Sequence, residues 1–252
     1  MRHKIALTVI CLLLSPLASF AQVELVSSNV LQRVFLIKYG EQFGSSFTID
    51  VNNRQYLISA KHFLSKLKTS DYIEIFHDSQ WKKLEVKRID LKNPKIDILV
   101  LAPAMQLSPP LELEPSTAHM YLSQNVFFLG FPFGMNVEAK ALNNYFPLPF
   151  VKKGIVSAMD FYNKEEKILY VDGYNNPGFS GGPIVFLDLN DKKLKVAAVV
   201  SGYRNQMADI YEKDKATAFK AVTNSGILVG YAIDGAVDAI KSKPIGAEIH
   251  TK

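Results

Sequence analysis

Cysteine is almost missing from this sequence. A single Cys11 among 252 residues excludes an internal disulfide framework, and with it the small stapled scaffolds that depend on one. A chain without staples needs a sizeable apolar core, and 48% hydrophobic residues supply the material. Long apolar runs are equally scarce. The stretch from Ile5 to Leu14 is too short to span a bilayer, and no later segment approaches the roughly 20 apolar residues a membrane helix needs. Histidine is sparse, with five in the chain, and no His/Cys set is clustered at metal-ligand spacing. There is no phosphate-cradling Gly loop and no internal repeat, so no cofactor is implied. Charge of one sign is not concentrated either. The formal net charge of +5 is spread through stretches such as KLEVKR and KKLKV, where basic residues alternate with apolar ones as on solvated strand faces, which argues against nucleic-acid binding. Asp188-Leu189-Asn190-Asp191 has oxygen ligands but lacks the spacing and Gly of a calcium loop, and reads as a hairpin turn.

The chain opens with Arg2 and Lys4 ahead of that short apolar run, and Ser19-Phe20-Ala21 fits a small-x-small cleavage pattern. Residues 1–21 therefore read as a secretory signal, which predicts an exported protein, periplasmic or extracellular. Cys11 leaves with the signal.

Helical periodicity is also lacking until the end of the chain. Short apolar segments separated by turn signals make an all-β pattern. Strands are predicted at 33–39, 45–51, 55–60, 72–77, 81–89 and 97–102, with Asn52-Asn53 as a hairpin turn. After a Pro-rich connection from Pro103 to Pro115, a second set is predicted at 125–131, 154–159, 167–172, 183–188, 193–201 and 226–233. One amphipathic helix at 234–243 follows, ended by Pro244. The outline is two six-stranded antiparallel β-barrels with a C-terminal helix, one over residues 22–118 and the other over 119–252, forming one unit.

The stretch GFSGGP places Ser180 in a turn among three glycines. Ser and Gly dominate turns, so these letters alone favour a turn residue over a nucleophile. A nucleophilic serine needs a histidine to take its proton and a carboxylate to orient that histidine. His3 is in the signal, His250 in the tail, His77 at a polar strand end and His119 in the connection. His62 differs, because it follows the apolar strand QYLISA and precedes what reads as one short helical turn. Asp97 opens the apolar run DILVLAP, where a charge is costly unless paired or hydrogen-bonded.

The motifs LISAKH, DILVL and GFSGGP, in the order His, Asp, Ser, resemble those of the trypsin/chymotrypsin-like serine peptidases. More narrowly the sequence looks like the bacterial high-temperature-requirement (HtrA) type. GSSFTID, GFPFG (130–134), KGIVSA (153–158), Asp172 eight residues before the serine, NPGFSGGPIV (176–185) and GYAI (230–233) carry that likeness over nearly the whole chain after the signal. The resemblance implies peptide-bond hydrolysis of polypeptide substrates through an acyl-enzyme. It makes Ser180 the nucleophile, His62 the general base and Asp97 the orienting carboxylate. The backbone N–H groups of Gly178 and Ser180 become an oxyanion hole. Ser201-Gly202-Tyr203 resembles the edge strand on which substrate lies. Gly178-x-Ser180-x-Gly182 also fits the nucleophile elbow of α/β-hydrolases, but that fold needs Asp and then His after the serine, and only His250 follows.

The sequence also departs from the family pattern. Phe179 stands where trypsin-like zymogens carry the Asp that pairs with a new N-terminus, so activation by that salt bridge is not expected. HtrA-type peptidases usually continue into a peptide-binding PDZ module after such a helix, and PDZ-regulated degradation is not part of what the resemblance is expected to carry over here. The stretch 141–150 lengthens a loop that the family usually keeps short; it is either a docking element or a loop folded onto the barrel. Tyr174, six residues before Ser180, takes the position at the base of the primary specificity pocket, and without a carboxylate there the expected preference is for uncharged residues. Arg204 is the competing candidate, which would favour acidic ones. A catalytically silent binding scaffold remains the alternative from a different class.

Overall fold

The structure, a computed structural model, describes residues 24–111, 113–163 and 166–250. The expected export signal lies outside the described residues. After a one-turn helix α1 (Ser28–Leu31), six strands follow: β1 (Val34–Tyr39), β2 (Gln42–Val51), β3 (Arg54–Ser59), β4 (Ser70–His77), β5 (Gln80–Ile89) and β6 (Leu99–Pro103). They pair antiparallel in the order β3-β2-β1-β4-β5-β6, and β6 pairs back onto β3 to close the ring. Asn52-Asn53 and Asp78-Ser79 turn two of the hairpins with positive φ at both residues, between 52° and 59°. This is the left-handed pair that a two-residue turn requires, and Asn, Asp and Ser tolerate it. Six further strands, β7 (Asn125–Gly130), β8 (Phe150–Asp160), β9 (Ile168–Asp172), β10 (Pro183–Leu187), β11 (Leu194–Glu212) and β12 (Lys215–Ala232), form the second closed barrel in the order β10-β11-β12-β9-β8-β7.

The near-continuous apolar runs of β1, β3, β6, β7 and β10 follow from their place. Along β1, Phe35 and Ile37 fill the first barrel, whereas Val34 and Leu36 join a shared core. Along β7, Val126 and Phe128 fill the second barrel, and Phe127 and Leu129 join the same shared core. Strands that carry one barrel's interior on one face and the other barrel on the other have no solvent side, so strict alternation is lost. Helix α2 (Asp234–Ser242) adds Ala236, Ala239 and Ile240 to the shared core, the i, i+3, i+4 spacing of one helix face. A two-residue strand β13 (Ala247–Glu248) then returns to pair with Arg54 and Gln55 of β3.

Polar anchors hold the connection between the barrels. Arg33, fully buried, donates to Asp50 at 2.7 Å, to Pro109 O at 3.2 Å and to Leu111 O. Lys195, also buried, meets Asp188 at 2.8 Å, Asp191 at 2.9 Å and Glu114 at 3.0 Å. Lys195, the backbone N–H of Asn190 and His119 hold the Asp188 carboxyl far below its ordinary range, and the same carboxylates push Lys195 up.

One region departs from the expected strands. The sequence pattern ends a strand at Ser201 and begins the next at Gly226, yet β11 and β12 run on as a hairpin arm joined by Lys213-Asp214, with φ of 46° and 64°. Residues 204–224 lie beyond the barrel and face no core. Nothing imposes the period-2 hydrophobic signal on them.

Candidate active site

His62 lies in the short turn after β3, where Leu64 N–H bonds Lys61 O at 3.1 Å. Asp97 stands just before β6. Its Oδ1 accepts the His62 backbone N–H at 2.8 Å, and its Oδ2 accepts from His62 Nδ1 at 2.7 Å. Ser201 Oγ donates to the same Oδ2 at 2.5 Å. A carboxylate has only acceptors to offer, so the proton of a neutral His62 sits on Nδ1 and leaves Nε2 with a free lone pair. The imidazole is about half exposed, whereas Asp97 is mostly covered (48% and 17%). This is a base open to a ligand and backed by a screened carboxylate.

Ser180 comes from the other barrel, in the turn before β10. Ser45 of β2 fastens that turn across the cleft. Its Oγ donates to Gly178 O at 2.7 Å and accepts the Phe131 N–H at 3.0 Å, while its N–H donates to Ser180 O at 2.9 Å. Phe133 N–H holds Pro177 O at 2.7 Å, which turns the following Gly178 N–H the opposite way. Gly178 has φ of 101°, and a Cβ there would stand 2.2 Å from Phe131 O, so only glycine fits. Among the described residues neither Gly178 N–H nor Ser180 N–H has an acceptor, whereas Phe179, Gly181 and Gly182 N–H are all bonded. The Ser180 hydroxyl donates to Ser201 O at 3.0 Å and makes no hydrogen bond with His62.

The structure thus gathers His62, Asp97, Ser201, Gly178 and Ser180 in one cleft between the barrels. Gly202 and Tyr203 follow Ser201 along β11, opposite Val229 and Leu228 of β12. Tyr174 is exposed, and its carbonyl accepts Lys152 Nζ at 2.7 Å; Lys152 also bonds Asn176 Oδ1 at 2.5 Å and lies over the rings of Tyr174 and Phe179. Partial burial lowers the Lys152 pKa. Phe179 is fully buried, edge-on to Phe128 with centroids 5.4 Å apart. Arg204 is engaged elsewhere, stacked on Tyr170 of β9 and bonded to its hydroxyl at 3.0 Å. The 141–150 loop folds onto the first barrel. Tyr145 O accepts Asp78 N–H, Asn144 O accepts from His77, and Phe146 packs on Phe35 and His77 at 4.8 and 4.5 Å.

Sequence reasoning missed two residues at this site. GSSFTID gave no sign that Ser45 ties Gly178, and Lys152 is one of two adjacent lysines, Lys152-Lys153, with nothing in the sequence to tie it to Tyr174 or Asn176. The role of the Ser201 hydroxyl, as against its backbone, was equally silent.

Two antiparallel barrels with such groups in the cleft define the chymotrypsin-like class. The chain belongs to the family of trypsin-like peptidase domains, whose model matches residues 44–192, and is by class a serine endopeptidase. Among solved structures it is similar to the inactive form of the Rv3671c protease of Mycobacterium tuberculosis, with TM-score 0.54, 18% identity and coverage of 86% of this chain and 91% of that one. It is similar to the serine endoprotease from Yersinia pestis, with TM-score 0.56, 18% identity and coverage of 88% and 68%. It also resembles the HtrA-type protease AlgW solved with a tripeptide, with TM-score 0.55 and 19% identity, covering 86% of this chain and 62% of that one. The search of curated proteins found no match to the chain.

Proposed function

We propose that this chain is an exported serine endopeptidase that works through Ser180, His62 and Asp97 by way of an acyl-enzyme. Ser180 Oγ attacks the substrate carbonyl carbon as its proton passes to His62 Nε2. The oxyanion is met by the two unoccupied N–H groups of Gly178 and Ser180. The C–N bond then breaks, His62 returns the proton to the leaving amine, and water hydrolyses the ester by the same route. Asp97 keeps the tautomer and stabilises the imidazolium, and Ser201 Oγ neutralises part of its charge. The observation that carries this reading is the 2.7 Å contact of Asp97 with His62 Nδ1, which leaves Nε2 free as a base in the cleft that holds Ser180.

The resting bond from Ser180 to Ser201 O has a consequence. A substrate strand lying on β11 would offer its own N–H to that carbonyl and displace the serine hydroxyl, freeing it for His62. Substrate binding and nucleophile activation are then coupled. The silent-scaffold reading draws on the same bond, because a serine held away from its base does no chemistry. A fluorophosphonate probe separates the two. Labelling of Ser180, abolished in Ser180→Ala and in His62→Ala, supports the peptidase, whereas an unlabelled folded protein that still binds peptide supports the scaffold.

Specificity follows from Tyr174 and Lys152. A substrate Arg or Lys entering beside the Lys152 ammonium would meet like charge and no carboxylate. Cleavage is expected after uncharged, small or medium apolar residues. In a peptide library, a dominant Arg or Lys on the acyl side of the cut would overturn this.

A further inference from the structure

We propose that the hairpin arm of β11 and β12 is an extended substrate-binding edge, on which some ten residues on the acyl side of the cleaved bond add as a third strand. This deepens the peptidase reading and rests on it. Up to Val200 the outer edge of β11 is taken by β10, in the register Pro183↔Val199, and by the Val200 N–H bond to Gly182 O. From Ser201 to Glu212 no strand lies on that side among the described residues. The same open edge therefore starts beside Ser180, whose hydroxyl already bonds Ser201 O, and runs on along the arm, with the pairing to β12 shifting register between Val200 and Gly202, Tyr203 and Asn205, and Asp209 and Tyr211. Nine residues from Arg204 to Glu212 extend it by about 30 Å. A peptide of three acyl-side residues would use only Ser201 to Tyr203.

The direction follows from the pairing. Every ladder in both barrels is antiparallel. A strand antiparallel to β11 with its reacting carbonyl at Ser180 runs towards its own N-terminus along the arm. A two-stranded ribbon projecting from a barrel is marginal alone, and this one exposes apolar side chains on both faces. Met207 and Val222 are directly paired on one face, and Ile210 and Phe219 lie on the other; all four are exposed. Large exposed apolar side chains beside an open strand edge mark a surface to be covered. The occupant is an extended polypeptide with apolar residues that can lie beside Met207 on one face and Ile210 on the other.

The test compares two peptides that share one cleavage site and differ in having three or ten acyl-side residues, the extension being rich in Val and Ile. The parent protein should show kcat/KM higher for the long peptide by about tenfold or more, the product of several modest cross-strand pairs. Replacing Gln206–Thr223 by an Asn-Gly turn, which keeps the opposed Asn205 and Asn224, should bring the ratio of the two close to one. The double substitution Met207→Lys, Ile210→Lys, which keeps the arm's length, should lower the same ratio. Equal rates for both peptides in the parent, or an undiminished ratio in both variants, would overturn the arm while leaving the peptidase standing. Anisotropy of the labelled long peptide on Ser180→Ala measures the arm without turnover, so arm binding with no hydrolysis in the parent would count against the chemistry alone. A concentration-dependent dimer that disappears when the arm is shortened would show that a second copy covers the edge, and would also overturn the proposal.

Discussion

Phe179 and Ser45 do different work on the same turn. Phe179 fills the space beneath Ser180 with a ring packed on Phe128, so the turn is set by an apolar plug rather than by an ion pair. Phe179→Ala should destabilise the fold by about 3–5 kcal/mol, the range for deleting a buried aromatic ring. Phe179→Asp should also destabilise the protein instead of creating a zymogen, because the carboxylate would replace the ring packed on Phe128 in a fully buried position, with the partly buried Lys152 ammonium over it; urea unfolding followed by fluorescence checks both. Ser45 acts through position. It is fully buried and joins β2 of one barrel to Gly178 and Phe131 of the other. Ser45→Ala strands a partly buried carbonyl and a buried N–H, which costs about 1–3 kcal/mol. It should also lower kcat by about 10- to 100-fold with KM little changed, since the Gly178 peptide is no longer fixed. A rise in KM alone, or no kinetic effect in a folded variant, would show that Ser45 is only structural.

Among the elements, those with an obligatory local signal were readable. Asn52-Asn53 announced the β2–β3 turn because a left-handed pair admits few residue types, and the helix from Asp234 showed its face at Ala236, Ala239 and Ile240. Continuous runs such as NVFFLGF marked strands but not the reason for their continuity, which is burial between two barrels. LISAKH, DILVL and GFSGGP are compact motifs, so His62, Asp97 and Ser180 could be picked out before any geometry. Ser45 and Lys152 could not, since their partners lie more than 20 residues away in sequence. The arm and β13 escaped for a third reason: edge elements without a core face carry no periodic pattern. β13 is held by its pairing with β3, by Arg54 to Gly246 O at 2.8 Å and by an exposed pair with Glu248. Ending the chain at Lys243 should therefore lower stability by only about 1–2 kcal/mol, a few net hydrogen bonds, and thermal melting of the truncated protein measures it.

At the scale of the whole molecule, the two barrels are joined by a shared core and by a connection pinned at Arg33 and Lys195. Arg33→Ala would leave Asp50 and two carbonyls facing an empty site, and a loss of about 3–5 kcal/mol is expected for breaking a buried pair from one side. The Lys195 cluster makes a prediction in pH. Asp188 is lowered from its ordinary 3.8 by Lys195, by the Asn190 N–H and by His119. A carboxylate whose folded pKa lies below its unfolded value contributes stability that is present in full above the unfolded value and is lost as pH falls through the folded one. Lys195 is raised above its ordinary 10.5 by Asp188, Asp191 and Glu114, so its contribution is full below that value and is lost only as pH rises past it. Between about pH 5 and 9 both groups contribute fully. The gap in urea midpoint between the parent and Asp188→Asn should therefore narrow as pH drops below about 4, where the unfolded parent begins to bind a proton that the folded form refuses. A gap that stayed constant down to pH 3 would mean that Asp188 holds the β10–β11 turn by shape and hydrogen bonding rather than by its charge.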